Sequence, residues 1–143
     1  MVSNMAKASS GNAGSFQKAA KALVRAVKRS DRYCYAPYSK VRVSAGLYCS
    51  SGAIYTAVNV ENSSYSLSMC AERAVLYKAW SEGERSFMLM LVWSPQIDFI
   101  TPCGACLQVL GELAPDLMIA TVNNQDEFMF YPLATLIAKP FRL

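Results

Sequence analysis

Seven consecutive apolar residues, Phe87-Met88-Leu89-Met90-Leu91-Val92-Trp93, set the strongest limit on how this chain can fold. A strand with one face in the core alternates apolar and polar side chains. This run does not alternate, so it predicts a central strand buried on both faces. Such a strand needs cover on both sides of its sheet, and the flanking sequence offers helices for it. Phe16, Ala20, Leu23 and Val27 recur at intervals of 4, 3 and 4 residues, which predicts an amphipathic first helix over 15–30 with Ser15 as its N-cap. Residues 70–80 are good helix formers, with Cys70, Ala74, Tyr77 and Ser81 expected on one face and Gly83 as the stop. Residues 103–113 predict another helix, opened beside Pro102.

The remaining segments read as strands. Val41, Val43, Ala45, Leu47 and Cys49 alternate as a half-buried strand over 41–49, and the turn residues Ser50-Ser51-Gly52 join it to a second strand over 53–60 as a hairpin. Residues 117–122 and 127–131 predict two more strands, and 133–137 a short last helix. This order of strands and helices predicts the α/β class, with a mixed sheet covered by helices. At 143 residues and 53% hydrophobic composition, one domain with a sizeable core is expected over 15–143. Residues 1–14, rich in Ser, Ala, Asn and Gly, are expected to be a flexible tail. No apolar run approaches a membrane span and no secretory h-region is visible, so no membrane partner and a cytoplasmic location are expected. The net charge is +4; Lys18, Lys21, Arg25, Lys28 and Arg32 fall near helical spacing and read as a solvated face, with no nucleic acid expected as partner.

The chain has five cysteines and no histidine. That excludes hydrolases that use a histidine base, and metal sites that need imidazole. Cys103 and Cys106 form a C-x-x-C pair at a predicted helix start. Alone, such a pair can be a zinc chelate, a redox couple or two buried thiols. Cys70, at another predicted helix start, shifts the balance to zinc. Two helix N-termini facing each other can bring three thiolates to one ion, their dipoles favouring the charge. Three protein ligands leave a fourth tetrahedral position for water, whose pKa a catalytic zinc lowers to about 7. Glu72, two residues past Cys70, can move the protons without binding metal. Arg73 can donate hydrogen bonds to the sulfurs and offset their charge. The pattern C-x-E followed by P-C-x-x-C is that of zinc-dependent deaminases.

Ala36-Pro37-Tyr38-Ser39, Asn59-Val60-Glu61-Asn62-Ser63-Ser64-Tyr65, Cys70-Ala71-Glu72-Arg73 and Pro102-Cys103-Gly104-Ala105-Cys106-Leu107-Gln108 closely resemble the small homo-oligomeric cytidine deaminases that use three cysteines. The resemblance runs from about Ala36 to Phe141. It implies a three-layer α/β/α sandwich with a five-stranded mixed sheet, usually assembled as a tetramer. It also implies one zinc ion per chain and hydrolytic deamination of cytidine and deoxycytidine, a small-molecule nucleoside substrate. Glu72 is then the proton shuttle and the backbone at Ala71 reads the pyrimidine. Asn59 and Glu61 hold the ribose 3′-hydroxyl, Gln108 supports the zinc neighbourhood, and Phe141 reaches the base pocket of another subunit. Tyr38 is an expected interface residue.

There are departures. Val41 stands where the family usually has a phenylalanine beside the substrate, and Leu107 replaces an arginine near the metal. Ser44-Ala45, followed by Gly46, replaces a glycine–alanine pair. They leave room for two other readings: a deaminase of a modified aminopyrimidine nucleoside of the blasticidin S type, and a zinc-stabilised paralogue without activity. Polynucleotide editing is disfavoured, because it needs a basic or aromatic channel for flanking nucleotides. Cys34 and Cys49 lack ligand spacing to the zinc set; Cys49 is expected in the core and Cys34 as a free thiol.

Overall fold

The computed structural model describes residues 13–143; positions 1–12 of the expected tail lie outside the described residues. The elements are α1 (Ala13–Ser30), β1 (Ser44–Cys49), β2 (Ile54–Val58), α2 (Ala71–Ser81), β3 (Phe87–Trp93), α3 (Gly104–Leu113), β4 (Met118–Val122), β5 (Phe128–Pro132) and α4 (Leu133–Leu136). The five strands form one mixed sheet in the order β2-β1-β3-β4-β5. Only β3 and β4 run parallel; β1 pairs antiparallel with both β2 and β3, and β4 antiparallel with β5. The result is a three-layer α/β/α sandwich, as expected.

The apolar run behaves as its lack of alternation implies. Leu89, Leu91 and Trp93 pack under α1, while Met90 and Val92 point into the opposite layer with Val75 and Leu76 of α2 and Leu110 of α3. β4 divides the same way, with Met118, Ala120 and Val122 toward α1 and Ile119 toward the other helices.

Several expectations are corrected. First, α1 already runs at Ala13, two residues before the proposed Ser15 cap; Ala13 is a strong helix former, and a first-turn glycine at position 14 meets no obstacle. Second, β1 is buried on both faces, not one. Ala45, Leu47 and Cys49 face α2, and the opposite face lies under α1 so closely that a Cβ on Gly46 would stand 2.5 Å from Cγ2 of Val27. Third, α2 buries Ala71, Glu72, Val75, Leu76 and Ala79, not the face containing Ala74, Tyr77 and Ser81. The buried set follows the i, i+3, i+4, i+7 spacing from Glu72. A glutamate within that stripe made the wrong face look more apolar. Gly83, at φ 98°, ends α2 by donating its N–H to the Trp80 carbonyl at 3.1 Å, in the left-handed conformation that glycine adopts without strain.

The strand expected from residue 41 joins the ladder only at Ser44. Residues 41–43 are instead flanked by side chains. The Asn59 carboxamide accepts from the Val43 N–H at 2.9 Å and donates to the Val41 carbonyl at 2.8 Å. It thereby supplies the two bonds a neighbouring strand would make. β2 ends at Val58, and the chain continues through a short bridge in which Val60 and Met69 exchange backbone hydrogen bonds at 3.0 and 2.9 Å. That bridge delivers the chain directly to Cys70.

Candidate metal centre

Cys70 and Cys103 are the N-cap residues of α2 and α3, both with extended backbone and neither making a side-chain capping bond. Serine or aspartate at such a position would accept a first-turn N–H. With cysteine there, the uncapped N–H groups and the positive ends of both helices bear on the sulfurs. Cys106 follows within the first turn of α3 and is fully buried, while Cys103 is exposed and Cys70 half-buried. The cluster therefore has a closed side and an open side.

The three Sγ atoms lie within 4.8 Å of one another, the only such metal-ligating group among the described residues. Cys70 and Cys103 are 3.9 Å apart, and Cys103 and Cys106 3.6 Å. Sulfurs on a tetrahedral zinc with bonds of about 2.3 Å stand about 3.8 Å apart, so the donor set and spacing fit that ion. The Cys70 thiol is lowered to about 5, chiefly by the hydrogen bond from Cys106, with Arg73 and Cys103 adding to it against the effect of burial. Cys106 is pushed up, first by that same bond and then by burial. The lowering favours the thiolate form of Cys70. Arg73 donates from Nη2 to the Cys70 sulfur at 3.8 Å, as its place in the sequence suggested.

Glu72 is 5% exposed. Its carboxyl is raised to about 7, chiefly because burial disfavours the charged form; its own backbone N–H opposes this, the Cys70 charge reinforces it, and Arg73 opposes it. A carboxyl near that value can take and return protons at neutral pH. Ala71, wholly buried, is the first residue of α2 between Cys70 and Glu72.

The other expected site residues fall into two groups. Asn59 and Glu61 both turn toward the 38–43 segment, as residues two apart on extended chain do. The Glu61 carboxylate accepts from the N–H groups of Tyr38 and Ser39 at 2.9 and 3.2 Å, and from the Ser39 hydroxyl. Those bonds, led by the Ser39 hydroxyl, hold it below the usual carboxylate range. Val41 is half-buried, at the first end of the stretch that Asn59 grips. Tyr38 is exposed, its ring 5.7 Å from that of Tyr65.

Gln108 and Phe141 form the second group. Gln108 uses its carboxamide on the chain terminus rather than on a sulfur: Nε2 donates to the Phe141 carbonyl at 2.9 Å, and Oε1 accepts the Phe141 N–H at 2.8 Å. Pro140 packs on Gly111, where an added Cβ would stand 3.0 Å from the proline ring, and Arg142 donates to the Gly111 carbonyl at 3.2 Å. The backbone of Phe141 is fixed on α3 while its ring is 69% exposed. Leu107 packs against the core. Cys49 is wholly buried, and Cys34 is a free, half-buried thiol. Ser39 is a contact that sequence reasoning missed; Pro37 before it offered only a turn signal.

Residues 17–121 match the family described as the cytidine and deoxycytidylate deaminase zinc-binding region. Among similar proteins, the chain is 50% identical over 106 residues to the Dictyostelium discoideum protein named "Probable cytidine deaminase", covering 73% of this chain and 72% of that one. It is 35% identical over 120 residues to the cytidine deaminase of Halalkalibacterium halodurans, covering 83% and 91%. Among solved structures, the crystal structure of cytidine deaminase from Burkholderia pseudomallei matches with a TM-score of 0.79 at 37% identity, covering 85% of this chain and 98% of that one.

Proposed function

The chain belongs to the cytidine and deoxycytidylate deaminase zinc-binding family, and from that membership we propose that it is a zinc-dependent enzyme that converts cytidine and deoxycytidine to uridine and deoxyuridine with release of ammonia. The observation that carries this reading is Glu72: a carboxyl 5% exposed, raised to about 7, one residue from the junction where a ligand cysteine meets α2. A purely structural zinc site has no use for a buried acid there.

Cys70, Cys103 and Cys106 would hold one zinc ion per chain. When bound, the zinc supplies Lewis acidity that makes water a nucleophile near neutral pH. Glu72 accepts one proton from the attacking water and delivers it to N3 of the cytosine while the C4–O bond forms. It then carries the second water proton to the amino group, the C4–N bond breaks, and ammonia leaves the uracil carbonyl behind. Burial of Glu72 keeps its carboxyl basic enough to take each proton and acidic enough to give it up. The uncapped N–H groups of the first turns of α2 and α3 favour negative charge at the sulfurs, and Arg73 does the same from the side. Asn59 and Glu61 hold the ribose 3′-hydroxyl. The backbone at Ala71 meets the pyrimidine edge, and Val41 lies along the base.

The working assembly in this reading is a homo-oligomer, a tetramer by preference, in which Phe141 enters a neighbour's base pocket. Support comes from Tyr33, Tyr35, Tyr65, Leu67 and Phe141, large side chains each more than half exposed, and from the fixed backbone that presents the Phe141 ring outward. In this reading the enzyme is cytoplasmic and serves pyrimidine nucleoside salvage. Zinc content per chain, measured with ammonia release from cytidine, deoxycytidine, 5-substituted analogues and blasticidin S, tests the proposal. The expected result is about one zinc per chain with turnover of the two plain nucleosides. Turnover of blasticidin S with none of cytidine would overturn it.

A further inference from the structure

Gln96 lies on the loop between β3 and α3, and the sequence gives it no motif. Its carboxamide spans the far side of the segment that Asn59 grips. Nε2 donates to the Lys40 carbonyl at 3.1 Å, and Oε1 accepts the Arg42 N–H at 3.2 Å. Asn59 binds the backbone at 41 and 43; Gln96 binds it at 40 and 42. Between them the two amides thus bind every residue from 40 to 43, at alternate positions. Gln96 is itself oriented from behind, because Ser94 donates its hydroxyl to Oε1 at 3.3 Å and receives the Gln96 N–H at 3.2 Å.

The segment needs such support. Lys40 has a φ of 61°, a left-handed conformation that a lysine adopts at a cost. It ends the turn closed by its own N–H on the Ala36 carbonyl at 3.1 Å and throws the chain into the extended run through Val41. The Gln96 bond falls on the carbonyl of this strained residue.

The geometry points to Gln96 as a positioning residue for the nucleoside: its carboxamide fixes the Lys40–Arg42 backbone against Asn59, and so sets where Val41, Asn59 and Glu61 stand relative to the substrate. This rests on the reading of those three as nucleoside contacts. The sulfurs and Glu72 are anchored on helices that Gln96 does not touch, so its loss weakens binding and leaves the chemical step alone.

Gln96→Met is the informative variant, since it keeps the length of the side chain and deletes both hydrogen bonds; Gln96→Ala serves as a second. In both, KM for cytidine is expected to rise about three- to tenfold, in line with two exposed hydrogen bonds. kcat should stay within about twofold of the parent, zinc content should be unchanged, and affinity for the product uridine, measured by calorimetry, should fall by the same factor as KM rises. Parental KM and uridine affinity in both variants would overturn the assignment, as would a loss of kcat and zinc with KM unmoved. Turnover of cytidine by the parent enzyme, measured alongside, gauges the underlying functional reading separately.

Discussion

The two faces of the sheet are equally dry but differ in what they bury. On the α1 side, Leu23, Val27, Leu89 and Leu91 have no exposed surface, and Gly46 lets the helix approach to contact. On the α2–α3 side, Val75, Leu76, Met90, Leu110 and Ile119 are buried as completely, yet the same layer takes in the Cys106 thiol and the Glu72 carboxyl at the helix openings. The first face converts burial into stability. The second gives up part of that gain by removing a carboxyl from water, which disfavours its charged form and raises its pKa. Depth of burial therefore does not separate the two faces; the chemistry of the buried atoms does.

Substitutions can break that contrast. The largest effect is expected from Glu72→Gln, which keeps the volume and removes the proton carrier. kcat for cytidine should fall by about 10²–10⁴-fold, with zinc content and thermal midpoint retained; ammonia-release kinetics and metal analysis check it. Near-parental turnover would place Glu72 with the inert core. On the opposite face, Leu91→Ala should cost about 2–5 kcal/mol of stability and Gly46→Ala about 1–3 kcal/mol through overpacking, both read by denaturant unfolding. kcat per zinc-loaded molecule should be unchanged in each. A large loss of kcat in either would show that the α1 face is coupled to the chemistry.

Where the chemistry shaped the sequence locally, it was legible. The unbroken Phe87–Trp93 run marked the central strand, the 4-3-4 spacing of Phe16, Ala20, Leu23 and Val27 marked α1, and the cysteine spacing marked the sulfur cluster. The buried face of α2 was misread because Glu72 sits in its inward stripe, and a pattern of apolar residues treats a glutamate as pointing out. The start of β1 was misplaced because Val41 and Val43 look like strand residues and are bonded as such, but largely by the side chain of Asn59, 18 and 16 residues away. Gln96 makes its contacts across 54 and 56 residues, and Gln108 reaches Phe141 across 33. No local pattern carries an amide that stands in for a backbone neighbour, since Gln and Asn on loops usually face water.

The central claim is that Cys70, Cys103 and Cys106 converge on one ion, with a corner left for water beside Glu72. X-ray absorption at the zinc edge of the purified protein tests it directly. The account predicts three sulfur scatterers at about 2.3 Å and one lighter atom near 2.0 Å. Four sulfurs, or a shell of light atoms alone, would contradict it.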